Sequence, residues 1–337
     1  MSEITFETLR LALESARGTA IASPTHLLNL EGTIKPVITR YRGKEQRGTR
    51  AANYRSVATR KYVEIEAEGD LDTAIAPVLL NMAVAPLTSP ATPAGATDAR
   101  LWAHVANTTT DTIKSATMWW GDPALDQLKS PFCVIDELVI ENDASGEEVA
   151  TVSIKGMGNF HTKVAAPGAT SAITGALLPG KLMQCWIDSG TDAIGTTEIN
   201  GRLVSAKHTI RTGAKYKYLA DGPTSNLTFN RIGREKVAAV TTELVLELID
   251  FDEFDLWESG ATLKVRVRHN GAAIETITGP ETLYNYVEVD SYGAASDLDW
   301  GDLEGSNRTV SLTIEGEYDA TLASDLRVAV QNARSSL

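Results

Sequence analysis

Two acidic runs offer the first chemistry. "DFDEFD" holds Asp250, Asp252, Glu253 and Asp255; "DLDWGDLEG" holds Asp297, Asp299, Asp302 and Glu304. Closely spaced carboxylates can hold a hard cation such as calcium, but both runs lack a full calcium-loop ligand schedule with its closing bidentate glutamate. They read as helix caps and acidic surface, and neither a metal nor a cofactor is expected. The histidines (His26, His104, His161, His208, His269) lie outside ligand spacing of one another and of Cys133 and Cys185, and each reads as a surface or strand residue. No GxSxG elbow, HExxH helix or GxxxxGK[ST] loop occurs. An enzyme is therefore not expected; a site assembled from distant residues stays open as an alternative.

The strongest charge signal is basic. "RYRGKEQRGTRAANYRSVATRK", residues 40–61, carries eight Lys or Arg and one Glu in a chain of formal charge −13. The bases are Arg40, Arg42, Lys44, Arg47, Arg50, Arg55, Arg60 and Lys61, and the rest of the chain carries −20. A nucleic-acid binder spreads basic character over a whole face, because affinity comes from neutralising several phosphates. A membrane-surface segment needs apolar anchors beside its bases. The third partner is the chain itself: seven acids and no base lie between Val237 and Leu263, and five acids and no base between Asp290 and Glu304. One exposed ion pair contributes about 0–1 kcal/mol, yet an array repeated at every contact between copies sets register. A solvated loop with no partner is the remaining reading.

Most segments around these charges alternate with period two. Val63, Ile65 and Ala67 oppose Glu64, Glu66 and Glu68; Leu263, Val265 and Val267 oppose Lys264, Arg266 and Arg268, with a hairpin turn expected at Asn270-Gly271; Val310, Leu312 and Ile314 oppose Thr309, Ser311 and Thr313. Residues 137–158 read as two strands around a polar turn at 142–147. Such alternation builds antiparallel sheets with one wet face. In "MWWGD", Trp119 and Trp120 face opposite sides if extended, one inward and one toward a neighbouring subunit; a bent loop is the alternative.

Helices are few. Leu71, Ile75, Leu79 and Met82 follow helical spacing behind Asp70 or Asp72 as a cap, with Pro77 expected to bend or shorten the helix. "DFDEFDLWES" offers a second short helix, and "TLASDLRVAVQNARSSL" fits either a helix or a strand. Residues 161–180 are small and weakly charged, as in a linker or long crossing loop. On both sides of them the order is strand, basic loop, alternating strand, acidic helix start and further strands. The divisions expected are a first domain at 1–160, the linker at 161–180 and a second domain at 181–337. A length of 337 residues with 43% apolar and 22% charged residues suits two folded, soluble domains. No apolar run approaches the roughly 18–20 residues that span a bilayer, and the acids of "MSEITFETLRLALES" do not suit a signal peptide.

Five stretches resemble the major tail proteins (tail tube proteins) of long non-contractile-tailed bacteriophages. "FETLRLALESARGTAIASPTHLLNLEGTIKPV" is similar to the family's N-terminus, with Glu14 and Gly18-Thr19 leading into its first strand. "GKEQRGTR" and "VEIEAEGDLD" resemble its long loop, returning strand and helix start; "SPFCVIDELVIENDASGEEVATVSIKGMG" resembles a later hairpin, and "DLRVAVQNA" its ending. The resemblance implies a mainly β fold: two tandem β-sandwich tail-tube domains, each with a flanking short helix. It implies a structural virion protein, assembled in the host cytoplasm, whose copies form stacked rings around passing DNA. Two tube domains per chain imply trimeric rings of pseudo-sixfold symmetry, with a tape measure protein and tail terminator or distal tail proteins as further partners.

In that frame residues 40–61 become a clasp between subunits and the two acidic runs its partners. Glu64, Glu66, Glu68, Glu243 and Glu247 become lumen lining, since an acidic bore repels phosphates. The alternatives are a nucleic-acid-binding module using 40–61, and a two-domain β adhesin with calcium in its acidic loops.

Overall fold

The computed structural model describes residues 7–43, 55–110, 113–122, 125–165, 170, 172, 174–199, 201–222, 225–234, 239–277, 281–304 and 307–337, without the side chains of 302–304 and 307. The first half carries β1 (Thr8–Leu13), β2 (His26–Leu28), β3 (Glu31–Arg42), β4 (Ser56–Asp70), α1 (Ala76–Ala83), β5 (Arg100–Val105), β6 (Ala116–Gly121), β7 (Gln127–Asp143), β8 (Thr151–Asn159) and β9 (Thr162–Val164). The second carries β10 (Met183–Ser189), β11 (Leu203–Arg211), β12 (Ala214–Lys217), β13 (Arg231–Arg234), β14 (Ala239–Glu247), α2 (Asp252–Ser259), β15 (Thr262–Thr276), β16 (Thr282–Glu304), β17 (Asn307–Glu315) and β18 (Leu326–Asn332). All strand ladders are antiparallel, as the alternation implied.

Two long strands divide this array into layers. The first part of β7 pairs with β6 and its second part with β8 and β11. The bend falls at Phe132, whose φ of 55° is left-handed, and whose backbone N–H donates to Glu14 at 2.9 Å. Strand β16 likewise leaves β15 and β18 and joins β17 after Gly293. A Cβ at Gly293 would strike the Glu315 carbonyl, so the crossover needs glycine there. The result is one central sheet in the order β3-β4-β8-β7-β11-β14-β17-β16, with β1, β2 and β6 layered near its first half and β10, β15, β18 and β5 forming a further layer.

Apolar side chains of the dry face fill two main cores. Ile34, Val63, Ile65, Ile140 and Ile154 pack with Leu9, Met118 and the wholly buried α1. Leu244, Leu246, Leu312 and Ile314 pack with Ile187, Val265 and Val267. The division at 161–180 is crossed twice by hydrogen-bonded ladders: β7 pairs with β11, and β18 returns to pair with β5. The tail follows β18 home, with Trp102 Nε1 donating to the Arg334 carbonyl (3.2 Å) and Asn332 Nδ2 to the Thr73 carbonyl (2.6 Å).

Local expectations hold in part. The strands at 61–68, 263–267 and 310–314 bury the expected side chains, and two helices form within the expected stretches, but α1 begins only at Ala76 and neither helix has a side-chain cap, Ile75 and Phe251 holding the N-cap positions. Pro77 starts α1 instead of bending it, because a first-turn N–H needs no helical acceptor. Asp72 caps the preceding turn, accepting from Ala74 N (2.7 Å), and its other oxygen takes Gly175 N (2.7 Å), pinning the crossing segment. No turn forms at Asn270-Gly271; β15 runs on with a register shift, and the hairpin closes after Thr276. The ambiguous C-terminal stretch is strand β18. Trp119 and Trp120 do take opposite faces of extended β6; Trp119 is wholly buried, and Trp120 is half-buried against the first core.

Candidate assembly surfaces

Cross-strand register decides which side chains share a face. Across the central sheet's wet face, Thr33 lies opposite Glu66, Glu66 opposite Lys155, Lys155 opposite Glu137, and Glu137 opposite Arg211. A second row runs from Thr151 to Glu141, Lys207, Glu243, Thr313 and Asp297. Glu64 and Glu68 sit two residues either side of Glu66, and Glu247 pairs with Thr309. All five glutamates expected to line a lumen therefore lie on one continuous face, drawn from both halves of the chain. Asp297 and Asp299, expected as clasp partners, lie on that same face. Two hollows of about 540 and 450 Å³ mark it, bordered by Glu31, Glu66, Glu68, Glu141 and Lys155.

The sheet has two edges among the described residues. β3 pairs only with β4, and the second half of β16 only with β17. Pro36 in β3 suits an edge, since proline cannot donate to a ladder. Along the internal junction β7 presents Glu137 and Glu141 to Arg211 and Lys207 of β11. The free edges differ in charge: β16 carries Asp297 and Asp299, whereas β3 carries Lys35 beside Glu31 on its wet side and Arg40 farther out at the opposite parity. Each also leaves a large apolar side chain exposed, Ile38 and Trp300. Ile38 has the parity of buried Ile34, and Trp300 lies opposite buried Val310, so both belong to the dry face. Sequence reading missed the junction and both edges. The alternation of "GRLVSAKHTIR" carried the signal, but pairing across halves is not written in any single strand.

The basic segment is only partly a loop. Strands β3 and β4 continue past β8, whose last partner is Tyr62, so Ile38–Arg42 and Ser56–Lys61 form a two-stranded arm. Arg40, Arg42, Arg55, Arg60 and Lys61 belong to it or its tip; Lys44, Arg47 and Arg50 lie outside the described residues. The arm's base is braced. Lys61 N donates to the Leu227 carbonyl (2.9 Å), its ammonium lies 5.7 Å over Phe160, and the Arg60 guanidinium lies 4.7 Å over Tyr218. Farther out, Tyr41 and Val57 face one another as a cross-strand pair, 55% and 59% exposed.

Around α2 the acids divide. Asp250, Asp252 and Asp255 are exposed. Glu253 is not available to a partner, because it is buried with its carboxylate 2.8 Å from the Arg202 guanidinium. The acids of the first turn also favour the helix itself through its dipole, and Gly260 ends it at φ 59°. Between the acids stand aromatics that helix formation does not require, Phe251 and Trp257 exposed and Phe254 half-buried. Phe251 and Phe254 lie 6.2 and 6.4 Å from Trp300, and Phe254 lies 5.7 Å from Trp257. The side chain of Asp302 lies outside what the structure describes.

His104, His208 and His269 are wholly buried strand residues, and burial holds His104 and His269 at about pH 4 and His208 well below its ordinary value. Cys133 and Cys185 are buried and far apart in the fold's two cores, with burial raising both thiols. Among the described residues no cluster of His, Cys, Asp and Glu could hold a metal ion. No known family model or curated protein matches this sequence at a significant level. No described helix is long and apolar enough to cross a membrane.

Proposed function

We propose that the chain is a structural virion protein, the subunit of a phage tail tube, whose copies join edge to edge into rings that stack around a conduit for DNA. The observation that carries this reading is the central sheet: an acidic wet face continuous over both halves, ending in two unpaired edges that differ in charge. Exposed edges invite pairing with another chain, and closing them against identical copies removes the hazard. The β16 edge of one copy meets the β3 edge of the next in the same sense as β7 meets β11 inside the chain. Such head-to-tail contacts close into a ring when the rotation allows.

The two halves then act as tandem tube domains. The first contributes strands in the order β3-β4-β8-β7 and the second β11-β14-β17-β16, each with a helix after its second strand and a long bent strand feeding its last hairpin. With four strands from each domain, three copies make a 24-stranded wall. At about 4.8 Å per strand and a tilt near 40°, its backbone diameter is about 48 Å; two copies would give about 32 Å. Once side chains cover both walls, three copies leave a comfortable bore for duplex DNA and two leave little. Glu64, Glu66, Glu68, Glu243 and Glu247 face that bore and repel phosphates, so the genome slides without binding. Catalysis has no part in this reading. A tape measure protein inside the tube and tail terminator or distal tail proteins at its ends are the further partners.

Reversing the acidic edge tests the proposal. Asp297→Lys with Asp299→Lys should abolish ring formation in analytical ultracentrifugation while leaving the melting temperature within a few degrees. Rings as abundant as in the unaltered protein would contradict edge pairing.

A further inference from the structure

Among the described residues, β12 and β13 pair only with each other, outside the larger array of strands. A lone two-stranded hairpin is marginal in water, so this one depends on what it docks against. Tyr216, Phe229 and Ile232 pack with Phe132 and Val134 at the bend of β7, in a small core of their own, while Lys215 and Lys217 stay exposed. Phe229 lies 5.3 Å from the Phe132 ring and 4.9 Å from the Tyr216 ring. The hairpin turns away from β11 at wholly buried Thr212, whose N–H donates to the Asp136 carbonyl (2.9 Å) and whose hydroxyl donates to the Ile135 carbonyl (2.7 Å). Gly213 follows in the left-handed region at φ 69°. Beyond this pivot the Tyr216 hydroxyl donates to the carboxylate of half-buried Asp136 at 2.7 Å, where the register of β7 against β8 shifts. The far strand is tied down at Arg234, which donates to the Ala83 and Val84 carbonyls at the end of α1 (3.3 and 3.2 Å). Between the two, Leu227 and Tyr218 hold the base of the arm through Lys61 and Arg60.

We propose that this hairpin is a proton-sensitive strap, closed most firmly over the β7 bend when Asp136 is protonated and eased, with the base of the arm it braces, when that carboxyl ionises. The device stands on the fold alone and holds whether or not copies assemble. Within the tube reading it makes the freedom of the arm depend on pH. Burial raises the Asp136 carboxyl to about 6; the Tyr216 hydrogen bond and the Lys215 ammonium lower it, and Glu137 adds to the rise. Glu137 is itself offset by Lys155 of β8 (3.6 Å) and Arg211 of β11 (3.3 Å), and Arg234 of β13 is engaged at the end of α1. Opening the hairpin returns the carboxyl to water and to about 4, so the closed form binds the proton more tightly. Opening is therefore least favoured below about pH 4, grows as pH rises toward about 6 and levels off above about 7.

Hydrogen exchange of the full chain, corrected for the intrinsic pH dependence of amide exchange, tests this. Between about pH 5 and 8 the opening of residues 212–222 and 225–234 should grow about tenfold. The Lys61 amide, held by the Leu227 carbonyl, should lose protection with them. Acid weakens the fold through the buried imidazoles in the opposite sense, so it cannot produce this rise. Asp136→Asn, which keeps an acceptor for Tyr216 and cannot ionise, should flatten the dependence in both places. Tyr216→Phe removes the donor, lifts the carboxyl further and should extend the rise to higher pH; it decides the matter where the asparagine variant does not fold. A dependence in Asp136→Asn like that of the unaltered chain would overturn the strap, as would opening that does not change with pH or an unchanged profile in Tyr216→Phe. Loosening of the hairpin without loss of protection at Lys61 would overturn its hold on the arm.

Discussion

Arg211 on β11 reaches the carboxylate of Glu137 on β7 at 3.3 Å, across the line where the sheet of the first half becomes the sheet of the second. Lys155 of β8 approaches the same carboxylate at 3.6 Å. These pairs are partly exposed and contribute little; the junction is held beneath them, where Ile210 and Leu138 are buried opposite one another. Ile210→Ala should therefore lower stability by about 2–5 kcal/mol, and Arg211→Ala by less than about 1 kcal/mol, in denaturant titrations. Equal effects would mean that the junction depends on its surface charges.

Glu14 is a hub in the first half. Its buried carboxylate accepts from Gly18 N (2.8 Å), Ser115 Oγ (2.6 Å), Thr117 Oγ1 (2.8 Å) and Phe132 N (2.9 Å). Glu14→Ala leaves buried donors unpaired and should cost about 3–5 kcal/mol. Glu14→Gln, which keeps only one accepting oxygen, should cost less. A near-neutral alanine variant would contradict the role assigned to the hub at the β7 bend.

Acid should weaken the fold through buried imidazoles. His208 and His269 meet edge to face at 5.7 Å between the two layers of the second half, facing Thr242 (3.1 Å from His208) and Asn142 (3.2 Å from His269). A folded-state value near 4 for His269, against about 6.5 unfolded, means that the unfolded chain binds the proton first. The stability from the neutral His269 ring is complete above about pH 6.5 and is lost as pH falls toward 4, up to about 3 kcal/mol, and His208, also lowered by burial, acts in the same direction. Thermal melts from pH 8 to 4 should show this decline, and His269→Gln should make it shallower even while lowering stability at pH 8. An unchanged slope in the variant would rule His269 out as a source.

The C-terminal strand belongs to the first core as much as to the second half. Deleting residues 326–337 strips β18 from between β5 and β16 and removes Arg334, whose guanidinium donates to the Ala74 carbonyl at 2.7 Å. The truncated chain should lose its cooperative melt and become protease-sensitive within residues 60–105. A truncated chain that melts like the full one would show that β18 is dispensable.

Duplex DNA should bind weakly to the dispersed chain, and alanine at Arg40, Arg42 and Arg55 should change that little. Strong affinity that falls steeply with salt and vanishes in the variant would favour the nucleic-acid reading of the arm.

Sequence pattern revealed much of this at the level of single strands. The alternation of glutamates with Val63, Ile65 and Ala67 put Glu64, Glu66 and Glu68 on a wet face, and the spacing from Leu71 to Met82 announced a helix of which only Ala76–Ala83 forms. What it could not reveal was adjacency across distance. That Lys207 lies beside Glu141, or that β18 returns to β5, depends on pairings between segments over 60 and 200 residues apart, and each strand's pattern fits many partners. Glu253 failed as a candidate because its acidic neighbours look identical in sequence, while its side chain is the buried one, held 2.8 Å from the Arg202 guanidinium. The contact of Phe251 with Trp300 was hidden for the same reason, the two aromatics belonging to separate acidic runs.

Electron microscopy of the concentrated chain, with particles averaged end-on, tests the central claim most directly. The account predicts rings or hollow tubes with three copies around the axis, a pseudo-sixfold wall, and the face bearing Glu66 and Glu243 turned toward the bore. Assemblies with that face turned outward, or a solution that stays monomeric at every concentration and ionic strength, would contradict it.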